Sequence, residues 1–81
     1  MSVTYYVALP FVRTEDGSAA GEAKECQTEF AAIRLAEAMA VNADNAGALA
    51  FKRTGEPNQG QFGDAVVLRS FGAVPENLDE L

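Results

Sequence analysis

Apolar side chains recur at every second position near the start of the chain. Val3, Tyr5, Val7, Leu9 and Phe11 share one side, while Thr4, Tyr6, Ala8, Pro10 and Val12 share the other. This period predicts a strand over 3–12. Pro10 cannot donate to a ladder, so the strand is expected at a sheet edge or near its own end. From Arg13 to Cys26 the chain is charged and broken by Asp16-Gly17-Ser18 and Gly21, which reads as a long loop.

The period changes after Thr28. Ala32, Ile33, Leu35, Ala36, Met39 and Ala40 fall on one arc at 100° per residue, with Arg34 and Glu37 opposite. A helix over 28–42 follows, N-capped by Thr28, with Glu29 at the positive end of its dipole. Phe30 and Val41 lie near its polar side. Asn45 or Gly47 is expected to take a left-handed cap. Two further strands are predicted. One runs over 48–54, with Leu49, Phe51 and Arg53 on one face and Ala48, Ala50 and Lys52 on the other. The second runs over 64–74, with Val66, Leu68 and Ser70 facing away from Val67, Arg69, Phe71 and Ala73. Val66-Val67-Leu68 is apolar on both faces, which places this strand in the centre of a sheet. Pro75 stops it.

The order β-α-β-β gives an α+β fold. The last two strands are joined by the turn-rich stretch Gly55 to Gly63 and are expected to form an antiparallel hairpin. A crossover helix is expected to return the chain parallel to the first strand. The expected architecture is a three-stranded sheet in order 1-3-2 with one helix on one face, half of a ferredoxin-like fold. Residues 1–75 form the single domain, and 76–81 an acidic C-terminal tail.

Composition sharpens this picture. A chain of 81 residues buries a limited share of its surface. A single Cys cannot form an internal disulfide, and with no His a structural zinc site has no ligand set. One helix covers one sheet face, yet both faces carry apolar side chains. The expectation is a homodimer or higher homo-oligomer, with Leu49, Phe51, Val67 and Phe71 as the candidate interface. The net charge of −6, from 12 acidic and 6 basic residues, argues against nucleic acid and anionic membranes as partners. No apolar run reaches the length of a membrane span. The N-terminus has no secretory character, so the cytoplasm is the expected compartment.

Candidate chemistry is sparse. Cys26 precedes the helix, where a thiolate is favoured, but Glu22, Glu25 and Glu29 oppose an anion and no His can act as its base; an ordinary loop cysteine is the expectation. Lys52, Arg53 and Arg69 are a candidate anion or ligand site at the hairpin, although the spacing is not that of a phosphate loop. Solvated charges that discourage edge pairing are the plainer reading. Glu56, Asn58, Gln59, Gln61 and Asp64 supply oxygens, without the alternation of a calcium loop. No catalytic set and no cofactor site is read, so the chain is not expected to be an enzyme.

Arg53-Thr54-Gly55-Glu56-Pro57, Gly60-Gln61-Phe62, Asp64-Ala65-Val66-Val67-Leu68 and Phe71-Gly72-Ala73-Val74-Pro75 resemble a family of short bacterial proteins. Tyr5-Tyr6-Val7-Ala8-Leu9-Pro10-Phe11 and Gly21-Glu22-Ala23 with Cys26 match it too. The resemblance spans most of the chain and implies no function. The element order is also similar to that of dodecins, small flavin-binding proteins with one helix on a three-stranded sheet. Their flavin-stacking tryptophan has no counterpart here beyond Phe51. The function expected is a self-associating structural or protein-interaction module. The alternative is a module binding a flavin- or nucleotide-like small molecule between subunits or at the hairpin loop.

Overall fold

A computed structural model describes residues 2–74; Pro75 and the acidic tail lie outside them. The elements are β1 (Val3–Thr14), β2 (Gly17–Ala20), β3 (Lys24–Cys26), α1 (Glu29–Val41), β4 (Asn45–Glu56), a 3-10 turn (Pro57–Gln59), β5 (Gln61–Phe62) and β6 (Val66–Gly72). All pairings are antiparallel, and the six strands form one curled sheet, a half-barrel carrying a single helix.

This corrects the three-stranded sheet in order 1-3-2. The sheet is built on β1 and β4, which pair antiparallel from Val3↔Gly55 to Val12↔Asn45. The outer edge of β1 carries β3 opposite Tyr6–Ala8 and β2 opposite Phe11–Thr14. The outer edge of β4 carries β5 and β6. The segment 13–26, expected as a loop, is therefore two strands. A two-residue turn, closed by Gly17 at φ 134°, reverses the chain onto β1. That reversal alters the crossover. The helix leaves β3, not β1, and returns in β4 parallel to β3 with β1 between them, so β1 and β4 run antiparallel. Three strands now precede the helix, and the likeness of element order to dodecins does not survive.

Pro10 stands in a central strand rather than at an edge, because its ladder is locally interrupted. Its carbonyl accepts from Gly21 N–H at 2.8 Å, in the gap between β2 and β3. Its nitrogen faces the same gap, where no strand asks it for a donor.

The helix forms where the apolar arc placed it. Thr28 is extended at the N-cap, and its Oγ1 accepts from Ala31 N–H at 3.0 Å. Its end is different from expectation: among the described residues no non-glycine residue has positive φ, and neither does Gly47. Asn42 is extended instead, and the Met39 carbonyl accepts from Asn42 N–H at 3.2 Å and from the Asn45 side-chain amide at 2.9 Å. Ala32 and Ala36 pack on Ala8, Ala48 and Ala50, all five fully buried. Small side chains on both sides bring helix and sheet into close contact. Tyr6, Cys26, Ile33, Leu35, Met39 and Phe71 are among the half-buried side chains around this cluster.

The opposite face carries the larger side chains. Leu9, Phe11, Leu49 and Phe51 form a second buried cluster, joined by Val7, Ala65 and Val74. Ala65 and Val74 flank β6, so the curl of the sheet folds the two ends of that strand over this face. β6 itself lies at an edge. It is apolar on both sides because a bulge at Leu68 sends Val67 to pair with Phe51 and Arg69 with Ala50.

Candidate functional site

The cluster of large side chains covers only part of the inner face. Beyond Phe51, toward the end of β4 that meets β5, the inner face carries an open, shallow hollow of about 410 Å³. Its lining follows from strand register. Val7 pairs with Phe51 on one side and Glu25 on the other, and Tyr5 pairs with Arg53. Side chains of paired residues share a face, so Tyr5, Val7, Glu25, Phe51 and Arg53 all face inward. Phe62 closes the end. It pairs with Gly55, whose missing side chain makes room: a Cβ there would stand 2.4 Å from Phe62 Cδ1. The rings of Tyr5 and Phe62 sit 6.1 Å apart, tilted at 47°, and form an aromatic wall.

The floor is Val7 and Phe51. Next to it along β4 comes Arg53, half-buried, with its Nε shut off from solvent and without a hydrogen-bond partner. Among the described residues no carboxylate lies within ion-pair distance of its guanidinium. A buried donor left unsatisfied costs about 1–3 kcal/mol. Glu25 lines the same hollow from the β3 edge and is exposed, with no side-chain partner among the described residues. Its neighbour Lys24 is taken by Glu22 at 3.0 Å.

The other residues singled out in the sequence are placed elsewhere. Lys52, adjacent to Arg53, faces the helix side with Tyr6 and Val66 as its paired neighbours. Arg69 is on that side too, its guanidinium 5.3 Å from the centre of the Phe71 ring. The three basic residues are therefore not brought together. Leu49 and Phe51 are buried by the chain itself, Val67 is 41% exposed beside Phe51, and Phe71 packs toward the helix. Cys26 packs half-buried against the alanine cluster. Among the described residues no group of three or more acidic, His or Cys side chains is placed to hold a metal, and no helix is long and apolar enough to cross a membrane. Tyr5, Phe62 and Glu25 are the site residues that sequence reasoning missed. The only signal was the inward set of β1, in which Tyr5 shares a face with Val7. No family model, curated protein or solved structure matches the chain.

Proposed function

We propose that the chain is a small-molecule-binding module whose ligand sits in the hollow of the curled sheet, within one chain. The observation that carries this reading is Arg53, which lines the hollow together with Val7, Phe51 and the rings of Tyr5 and Phe62 and has a buried, unpaired Nε. Such a site suits a flat apolar body ending in a carboxylate or similar acceptor. The body rests on Val7 and Phe51 against Tyr5 and Phe62, and the acceptor pairs with the part of the half-buried guanidinium that solvent still reaches. The role proposed for the hollow is binding. The proposed setting is the cytoplasm, where a lone thiol such as Cys26 stays reduced.

Binding of 4-methylbenzoate, followed by calorimetry, tests this. Arg53→Gln, checked for an unchanged circular dichroism spectrum, should weaken binding about ten- to hundredfold. Equal affinity in both proteins would remove Arg53 from the account.

Self-association stays as a second reading, favoured by the outer edge of β6 and by Phe62, Val66 and Val67, which are 53%, 52% and 41% exposed. Sedimentation equilibrium decides it. A monomer at tens of micromolar would end it without touching the hollow.

A further inference from the structure

We infer that the ligand carries a second, positively charged or donor group at the end opposite its acid, and that Glu25 receives it. The inference rests on the reading of the hollow as a ligand site and deepens it. Arg53 lies on β4 opposite Tyr5 and Glu25 on β3 opposite Val7, with β1 between them, so their backbones are two strand spacings and two residues apart, roughly 12 Å. Both side chains line one hollow and neither is within ion-pair distance of the other. Lys24 does not neutralise Glu25, because its ammonium is held by Glu22.

A guanidinium and a carboxylate facing one apolar floor from opposite walls give the hollow a polarity. A purely anionic ligand would satisfy Arg53 but set its own charge, or its apolar far end, against Glu25. A ligand with an acid at one end of a flat body and an ammonium, amidine or similar donor at the other matches both walls and the floor. Adjacent charges, as in an α-amino acid, reach only one wall at a time. The substrate class inferred is therefore an elongated zwitterion with its charges at opposite ends of an aromatic or similarly flat body.

Three probes separate the possibilities: 4-(aminomethyl)benzoate with charges at both ends, 4-methylbenzoate with the acid alone, and phenylalanine with its charges adjacent. Affinities are measured on the full chain by calorimetry at low salt, for the wild type, Glu25→Gln and Arg53→Gln. Glu25 is exposed on a strand edge, so this substitution leaves the core untouched. The expected result is that 4-(aminomethyl)benzoate binds the wild type about tenfold or more tightly than either other probe. In Glu25→Gln that preference over 4-methylbenzoate should disappear. If 4-methylbenzoate binds as well as the zwitterion and Glu25→Gln changes neither, the inference is overturned while the anion site at Arg53 stands. If none of the three binds, or all bind Arg53→Gln unchanged, the reading of the hollow falls with it.

Discussion

Gly55 shows how one residue can set the shape of the site. A Cβ at this position would meet Phe62 Cδ1 at 2.4 Å and the Gln61 carbonyl oxygen at 2.6 Å. The first neighbour is a side chain, but the second is backbone, so relaxation must move β5 itself. Gly55→Ala should lower stability by about 1–3 kcal/mol, read as a shift of the urea midpoint. Phe62→Ala in the same chain should recover only part of it, because the carbonyl remains. Thr28 gives a milder case. Its hydroxyl satisfies one N–H of the first helical turn, and Thr28→Ala should cost about 1 kcal/mol in the same assay. Thr28 was legible from the sequence, because an N-cap is a local event. The role of Arg53 was legible only as a charge near a strand end. Its place in the hollow comes from its pairing with Tyr5 across β1 and β4, a contact far apart in sequence that no local pattern reports.

At the scale of elements, the helix was readable and the sheet was not. The arc from Ala32 to Ala40 reports burial directly, since Ala32 and Ala36 are fully buried while Phe30 and Val41 are 68% and 82% exposed. Ala36→Leu should therefore push the helix off Ala48 and Ala50 and cost about 1–3 kcal/mol. Ala38→Leu, on the exposed side, should stay within about 0.5 kcal/mol. Chemical denaturation of both variants checks the contrast. β2 was silent for a physical reason. All four of its residues are exposed and its bonds to β1 are made by backbone, so no alternation of side chains marks it. Missing that reversal turned β1 the wrong way relative to β4. β6 misled in the opposite sense: two apolar faces suggested a central strand, whereas a bulge lets an edge strand serve both the helix side and the inner side.

For the whole molecule, curl replaces the second layer that a sheet of this kind lacks. Of the apolar side chains that suggested an open face, Leu49 and Phe51 are buried within the chain and Phe71 is half-buried toward the helix, while Val67 stays 41% exposed. Amide exchange should follow this architecture. The slowest amides should lie in the paired stretch of β1 and β4 around Leu9 and Leu49, with β6 faster. Slowest exchange in β6 would contradict this expectation. The part of the inner face left uncovered is the hollow at Arg53, on which the functional account rests. Its most direct test is a titration of the ¹⁵N-labelled chain with 4-methylbenzoate, followed by two-dimensional NMR. The account predicts saturable shifts centred on Tyr5, Val7, Phe51, Arg53 and Phe62, which in Arg53→Gln require about ten- to hundredfold more ligand. Shifts confined to the helix side around Ala36 and Ala48, or none at millimolar ligand, would contradict it.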